Sequence, residues 1–356
     1  MLRESSCIKI PKIHGEKAIA LANKLEIIKR ELKIQRDEKF IYIPLIHQPS
    51  KNETDALRKK LPDSAISTHA FPERKKQVKT FVELLEDKLA PRLLSALPHS
   101  IDIVGDIAII EIPPEFYAYE SVIGEAILKT QKTVSTVLAK ASAVSGTYRT
   151  REFRIIAGEP KTETIHKEYG CNYYVDVAKA YFSPRLSYEH ERVASLVKEG
   201  ETVIDLFAGV GSFGVQIAKT HASVRVYAVD LNPYAVEFLK KNIRLNRVED
   251  KVCPILDDAK QAASKKLFAI ADRVIMNLPE KAIQFVDAAC ETLKPNGGTV
   301  HFYAFIDSSN SIEHMKRNFI ETVEKNGRRV EKIPFCRIVR TTAPHESQAV
   351  IDAEIH

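Results

Sequence analysis

The stretch Val203-Ile-Asp-Leu-Phe-Ala-Gly-Val-Gly-Ser-Phe-Gly214, followed by Val226-Tyr-Ala-Val-Asp230, decides the fold class of this chain. It predicts a buried strand, a glycine turn, the start of a helix and a second strand that ends in a carboxylate. This order is typical of the first half of a nucleotide-type α/β site, where glycines let a ligand approach the backbone. The motif G-x-G-x-x-G by itself does not identify that ligand.

Outward from this stretch, from about residue 181 to residue 356, predicted strands alternate with predicted helices. The strands are predicted at 202–206, 224–229, 252–256, 273–276, 298–305, 329–334 and 350–355. The helices are predicted at 189–198, 212–220, 232–245, 280–293 and 312–325. Such alternation predicts a mainly parallel sheet covered by helices on both faces, which is an α/β fold of the Rossmann-like kind.

The upstream residues predict two smaller domains. Residues 1–68 read as a small α/β module, with a helix near 15–25, a strand at 40–45 and charged, loop-like residues at 50–62. A basic linker follows at Phe71–Lys79.

Residues 69–180 read as a middle α+β domain. Strand-like runs flank a Gly-Asp turn within 101–112, helical spacing covers 119–140, and further strands are predicted at 151–156, 162–166 and 173–177. The domains are therefore predicted as 1–68, 69–180 and 181–356.

Composition restricts the class of protein. The chain has 356 residues, 44% of them hydrophobic, which is enough for more than one domain with a core. A net charge of +6 is compatible with nucleic acid but excludes a polycation. The five scattered cysteines form no C-x-x-C pair, so neither a disulfide framework nor a zinc site is predicted.

No signal peptide and no apolar run of roughly 18 residues is evident, so we expect a cytoplasmic protein without a membrane partner. His166 and His190 have no partners at ligand spacing, so we expect no metal.

Three carboxylates, Asp205, Asp230 and Asp258, follow successive predicted strands. Any one of them could simply cap a helix. Three at one edge of an open α/β sheet favour a ligand site. Asp205 favours an amine-bearing ligand such as S-adenosylmethionine over a pyrophosphate, because a negative charge there opposes phosphate binding at the helix N-terminus. Asp230 suits ribose hydroxyls but does not separate this ligand from NAD.

At the end of the fourth strand, Asn277-Leu-Pro279 suits methyl transfer to a planar nitrogen, although the same residues could form only a turn. Together with other motifs it resembles the Trm-five-type tRNA (guanine37-N1)-methyltransferases over nearly the whole chain. The motifs, in the family's order, are Tyr148-Arg-Thr-Arg151, Ala157-Gly-Glu159, Ile165-His-Lys-Glu168, Tyr181-Phe-Ser-Pro-Arg-Leu186, Glu189-His-Glu-Arg192, Asp205-Leu-Phe-Ala-Gly-Val-Gly211 and Asn277-Leu-Pro279.

This resemblance implies a class I methyltransferase domain that uses S-adenosylmethionine and forms N1-methylguanosine beside the anticodon. It also implies that the N-terminal module contacts the tRNA elbow and that the middle domain holds the anticodon loop. We expect a monomer.

The resemblance also implies roles for individual residues. Glu189 matches the general base that removes the N1 proton, Arg149 matches the cation that stabilises negative charge on O6, and Asn277 matches the residue that orients the guanine edge. Tyr181 and Pro279 are predicted to contact the flipped base. The positions that match the cofactor-binding residues of the family are His190, Asp230, Leu231, Asp258, Ala259 and Asn277.

Three alternatives remain open from the sequence. A wyosine-pathway transferase would transfer a C7-methyl or an aminocarboxypropyl group to the modified base at position 37 of tRNA-Phe. An NAD-dependent oxidoreductase could use the same glycines, and a non-catalytic tRNA-binding protein could share the fold. Glu280, which follows Asn-Leu-Pro, and the stretch 341–347 depart from the family pattern.

Overall fold

The structure is a computed structural model that describes residues 2–73, 80–307, 311–343 and 345–356. The chain divides into two compact units, Met1–Lys79 and Thr80–His356. Residues 74–79 of the predicted basic linker lie outside the described residues. Among the described residues, no helix combines the length and the apolarity that a bilayer crossing requires.

The described part of the first unit is an antiparallel sheet with two helices. Its elements are β1 (Leu2–Pro11), α1 (Gly15–Lys24), β2 (Gln35–Arg36), β3 (Phe40–Pro44), α2 (Lys51–Lys60) and β4 (Ala65–Pro72). The strand order is β2-β3-β1-β4. β4 crosses residue 68, where the sequence analysis ended the module, because it pairs with β1 as far as Pro72.

Residues 50–62 were predicted to be loop-like, and this prediction is wrong for α2. A capping box starts the helix: the Ser50 hydroxyl accepts from the Glu53 amide at 3.3 Å, and the Glu53 carboxylate accepts from the Ser50 amide at 2.7 Å. The Ser-x-x-Glu signal is local, and it stands within a highly charged segment whose composition alone favours a loop.

The second unit begins with a mixed sheet and a hairpin. Its first elements are α3 (Pro91–Ala96), β5 (Ile101–Val104), β6 (Ile107–Ile110), α4 (Glu120–Thr130), β7 (Thr136–Lys140), β8 (Phe153–Gly158), β9 (Glu163–Glu168) and β10 (Cys171–Asp176). In the described part, β5-β6-β7-β8 form one sheet and β9-β10 form another. The helix predicted over 119–140 ends at Thr130, because the β-branched run after it becomes β7, buried between β6 and β8.

The remaining elements form the predicted α/β domain. They are α5 (Ser187–Leu196), β11 (Thr202–Asp205), α6 (Ser212–Thr220), β12 (Arg225–Asp230), α7 (Pro233–Asn246), β13 (Val252–Leu256), α8 (Ala259–Lys266), β14 (Arg273–Met276), α9 (Val286–Thr292), β15 (Gly298–Asp307), α10 (Ile312–Lys325), β16 (Val330–Ala343) and β17 (Glu346–Ile355). The strand order among described residues is β13-β12-β11-β14-β15-β17-β16.

The predicted fold class is confirmed. Strands β11 to β15 are mutually parallel, and only the final hairpin strand β17 runs antiparallel to its neighbours within the described sheet. β12 and β14 lie on opposite sides of β11. The order in which successive strands are added therefore reverses at β11. Open α/β sheets bind ligands at the carboxyl edge next to such a reversal.

Candidate active site

A cavity of about 250 Å³ opens at this carboxyl edge of the sheet. It brings together eight of the ten residues to which the family resemblance assigns roles: Arg149, Tyr181, Asp230, Leu231, Asp258, Ala259, Asn277 and Pro279. The strand ends supply the carboxylates and the amide, and a loop before β8 supplies the arginine. The cavity is therefore built within the second unit from residues distant in sequence.

The glycine turn forms part of the cavity wall. Gly209 has a φ of 56°, in the left-handed region that glycine adopts without strain, and it lines the cavity. Its amide donates to the Asp230 carboxylate at 2.7 Å, which ties the turn to the end of β12. Gly211 serves packing instead, because a Cβ there would lie 2.4 Å from the Leu239 side chain.

Asp205 is fully buried immediately before the lining residues Leu206 and Phe207. One carboxylate oxygen accepts from the Phe207 amide at 3.2 Å, and the other has no hydrogen-bond partner within the described part of the chain. Burial raises the pKa of Asp205 to about 7. An orphaned buried acid beside a cavity is stabilised by a cation, so this position fits a positively charged ligand better than a phosphate.

Asp230 and Asp258 each combine a structural role with a place in the cavity. Asp230 accepts from the amides of Gly209 and Asn232, the latter at 2.8 Å, while burial raises its pKa. Asp258 caps α8 by accepting from Lys260 and Gln261. Asp258 is therefore both a helix cap and a cavity residue. The sequence allows both roles.

Between these carboxylates lies an apolar surface. The Leu231 side chain is exposed although it follows a buried strand, and Ala259 lines the same cavity. Phe285 also lines the cavity and packs edge-on against Phe207, with ring centroids 5.1 Å apart. An apolar wall flanked by acceptors suits a nucleoside, whose base is flat and whose sugar donates hydrogen bonds.

Arg149 enters the cavity from a strained backbone position. Its φ of 55° lies in the left-handed region, which costs a non-glycine residue on the order of 1 kcal/mol. The guanidinium lies over the Tyr181 ring, 5.4 Å from the centroid, and pairs with the Glu280 carboxylate at 2.7 Å. Such strain is common at functional sites, and here it places a permanent cation against the predicted base-stacking residue.

Asn277 and Pro279 also line the cavity. The Asn277 side-chain oxygen accepts from the Gln348 amide nitrogen at 3.1 Å. Gln348 in turn accepts from Arg340 at 2.9 Å. Sequence reasoning missed both Gln348 and Arg340, because they lie on the final hairpin and no local motif marks them.

Glu189 and His190 do not line the cavity, because they lie on the inward face of α5, 1% and 3% exposed. The Glu189 carboxylate accepts from Arg192 at 2.9 Å, Tyr303 at 2.9 Å and Arg337 at 2.5 Å. Burial alone would raise the pKa of Glu189, but these hydrogen bonds, chiefly from Arg192, hold it below its usual value.

His190 packs edge-on against Phe213 and contacts the Glu168 carboxylate at 2.6 Å through Nδ1. The roles of Glu189 as base and His190 as cofactor ligand stay predictions.

A buried ionic network connects Glu189 on α5 with residues on β15 and β17. Arg192 bonds Asp352, and Asp352 accepts from His301 at 2.7 Å. Burial opposes ionisation of Asp352, but His301 and Arg192 lower its pKa to about 2. Near the hairpin β9–β10, His166 and His190 likewise lower the pKa of Glu168 to about 2 against the effect of burial.

These shifts predict that stability falls in acid. Glu168 and Asp352 are ionised in the folded state down to about pH 2, whereas the unfolded chain binds protons near their usual values of 4.5 and 3.8. Each therefore contributes on the order of 2 kcal/mol near neutral pH, and this is lost as pH falls from about 4.5 to 2. Burial also lowers the pKa of His301 from 6.5, which adds loss below that pH.

Urea unfolding at pH 7, 4.5 and 3 measures this effect, with Asp287→Ala at an exposed ion pair as the control. A free energy of unfolding that is unchanged between pH 7 and 3 would contradict the assignment.

Comparison with known proteins locates three family models along the chain. They are the tRNA methyltransferase 5 N-terminal domain at residues 7–53, the TYW2 N-terminal domain at residues 81–162 and the TRM5/TYW2 methyltransferase domain at residues 164–331.

The relatives include two proteins with the same name and one with a different activity. The chain is 43% identical to the tRNA (guanine(37)-N(1))-methyltransferase Trm5b of Pyrococcus abyssi, over 73% of this chain and 76% of that protein. It is 34% identical to Trm5b of Methanocaldococcus jannaschii over 98% of both. It is also 35% identical to the tRNA 4-demethylwyosine(37)-methyltransferase Taw21 of Saccharolobus solfataricus, over 77% of this chain and 98% of that protein.

Two solved structures bear on ligands. A complex of aTrm5 with tRNALeu has a TM-score of 0.74 and 32% identity, covering 98% of this chain and 99% of that one. TYW2 of M. jannaschii in complex with AdoMet has a TM-score of 0.56 and 30% identity, covering 72% of this chain and 99% of that one.

Proposed function

The chain belongs to the TRM5/TYW2 methyltransferase family and is a Trm5-type tRNA methyltransferase, and on this premise we propose that it methylates N1 of guanosine 37 in tRNA. S-adenosylmethionine is the methyl donor and tRNA the partner. Contacts of residues 1–68 with the elbow and of residues 69–180 with the anticodon loop are part of the proposal.

The observation that carries the proposal is the convergence of Arg149, Tyr181 and Asn277 on one cavity with the carboxylates of β12 and β13. An apolar wall that suits a nucleoside and a set of groups suited to a purine edge line the same cavity. A methyl donor and a nucleobase can therefore meet within one site, which is the arrangement that a methyl transfer requires.

The residues of the cavity fit S-adenosylmethionine as the methyl donor. Asp230 can accept from the ribose hydroxyls, Leu231 and Phe285 can hold the adenine, and the unpaired oxygen of Asp205 favours a cation nearby. When bound, S-adenosylmethionine supplies an electrophilic methyl group on a sulfonium.

The reaction requires that the N1 proton leave guanine as the methyl arrives, because protonated N1 is a poor nucleophile. Glu189 accepts that proton in the proposal. Negative charge then develops on O6, where the Arg149 guanidinium stabilises it. Tyr181 stacks on the base, which must leave the anticodon-loop stack to enter the cavity.

The proposed base must exchange a partner before it acts. Both Glu189 oxygens are hydrogen-bonded, and the depressed pKa makes it a weak base in the free protein. Arg337 is the most exposed of its partners, with a side chain 35% exposed. Departure of this arginine would free one oxygen and raise the basicity of the carboxylate.

Cofactor binding is tested at Asp230. Asp230→Ala is expected to weaken S-adenosylmethionine binding by about 10- to 100-fold, because two hydrogen bonds to a charged acceptor are lost. Isothermal titration calorimetry measures the change, with Asp287→Ala as the matched control on an exposed pair. NAD should not raise the melting temperature, whereas S-adenosylmethionine should. Stabilisation by NAD instead would favour the oxidoreductase alternative.

A second candidate function is a wyosine-pathway transfer. Two observations support this candidate: the similarity to Taw21 and the match of residues 81–162 to the TYW2 N-terminal domain. Single-turnover assays on two substrates separate the candidates: tRNA bearing unmodified guanosine 37, and tRNA-Phe bearing 4-demethylwyosine at the same position. We expect methylation of the first. Methyl or aminocarboxypropyl transfer to the second alone would support the other candidate.

A further inference from the structure

We propose that Gln348 and Arg340 are positioning residues that fix which end of the Asn277 amide faces the methyl acceptor, and thereby select a nucleobase with a carbonyl at that position. This inference rests on the proposed function, because it assigns Asn277 to the acceptor edge.

Arg340, Gln348 and Asn277 form a chain of hydrogen bonds, called the relay below, and Arg340 is its first member. Its guanidinium donates to three groups: Gln348 Oε1 at 2.9 Å, the Ser183 hydroxyl at 2.8 Å and the Tyr181 hydroxyl at 3.1 Å. A guanidinium has donors only, so Gln348 must turn its carbonyl oxygen toward Arg340. The arginine therefore determines the orientation of an amide whose two ends have nearly the same shape.

Gln348 transmits that orientation. It lies on β17 and is 1% exposed, so turning its amide would leave buried donors and acceptors mismatched. With its oxygen toward Arg340, its nitrogen faces Asn277 and donates to Oδ1 at 3.1 Å. Asn277 in turn keeps its oxygen toward Gln348 and directs its two N–H donors elsewhere.

The orientation of the Asn277 amide affects which group at C6 of the methyl-accepting base the cavity can recognise. Asn277 and Arg149 both line the cavity, and both now offer hydrogen-bond donors. Guanine and hypoxanthine carry an acceptor oxygen at C6, whereas adenine carries an amino group that donates. A purine with a 6-oxo group matches these donors, and a 6-amino group opposes them. Gln348 and Arg340 also line the cavity, and they set the discrimination at C6 through the orientation of the Asn277 amide.

The test is Gln348→Glu, which keeps the shape of the side chain. The introduced carboxylate accepts from Arg340 and presents a second acceptor to Asn277, so the Asn277 amide turns and shows its oxygen to the cavity. We expect kcat on guanosine-37 tRNA to fall by about tenfold or more, with the KM for tRNA nearly unchanged. Gln261→Glu, on the exposed face of α8, adds the same charge as a control.

A double-mutant cycle separates positioning from a merely structural effect. If Gln348 acts through Asn277, Gln348→Glu combined with Asn277→Ala is no slower than Asn277→Ala alone. Additive losses would overturn the inference. If Gln348→Glu does not fold, Arg340→Met tests the same relay, because it frees the Gln348 amide to turn; unchanged kcat in that variant would equally overturn it.

The substrate readout distinguishes this inference from the proposed function. Wild-type protein is assayed on transcripts bearing guanosine, inosine or adenosine at position 37. We expect the first two to be methylated and adenosine to be rejected. No reaction with guanosine 37 contradicts the proposed function itself. A normal reaction with guanosine 37 that Gln348→Glu leaves unchanged contradicts only the positioning role.

Discussion

Glu189→Gln is expected to reduce kcat for methylation by about 10²- to 10⁴-fold, because the amide cannot take the N1 proton. The substitution keeps size and shape, so the affinities for tRNA and for S-adenosylmethionine should stay within a few-fold of wild type. Single-turnover methylation measures the rate, and filter binding measures tRNA affinity. A rate within tenfold of wild type would show that Glu189 anchors Arg192 and Arg337 and does not act as the base.

The acid limb of the pH–rate profile gives a second view of the same residue. The depressed pKa of Glu189 in the free protein predicts that kcat/KM stays independent of its protonation above its usual value of 4.5. Arg337→Met removes one stabilising cation and therefore raises the Glu189 pKa. The acid limb should then move to higher pH. An unchanged acid limb would contradict the link between Arg337 and the base.

Arg149→Ala is the other substitution with a large expected effect, a fall in kcat of about 10²- to 10³-fold. The arginine is the permanent cation that contacts Tyr181 within the cavity, and the charge that develops on O6 would lose its partner. Because the substitution also removes the ion pair with Glu280 and the contact with Tyr181, the melting temperature is measured alongside the rate.

Arg149→Lys is the matched control, since it keeps the charge and loses the planar fork. We expect it to recover part of the rate but not all of it. A rate for Arg149→Ala within threefold of wild type would contradict a role in charge stabilisation. A loss of tRNA binding with kcat unchanged would instead indicate that Arg149 only holds the loop against Glu280.

The Rossmann-like domain could be predicted because its signals are local. The glycine turn, the alternation of buried strands with helices and the carboxylates after β12 and β13 each appear in a short window of sequence. Errors arose where tertiary pairing overrides local spacing. The helical spacing predicted over 119–140 includes β7, and its pairing between β6 and β8 makes that segment a strand.

The part of the candidate site that lies at strand ends could also be predicted from the sequence. Residues at strand ends meet because parallel strands share a carboxyl edge, which is why Asp230, Asp258 and Asn277 reach one cavity. Arg192 lies one helical turn from Glu189 on α5, but Tyr303 and Arg337 reach Glu189 from β15 and β16, and no local motif encodes those contacts. The relay through Gln348 is hidden for the same reason, because it depends on the register of the last hairpin.

The identity of the methylated nucleoside tests the central claim most directly. Purified protein is incubated with unmodified guanosine-37 tRNA and labelled S-adenosylmethionine, and the tRNA is digested and its nucleosides are separated. The account predicts N1-methylguanosine from wild type and almost none from a transcript with adenosine at position 37. Absence of N1-methylguanosine from protein that binds both S-adenosylmethionine and tRNA would contradict it.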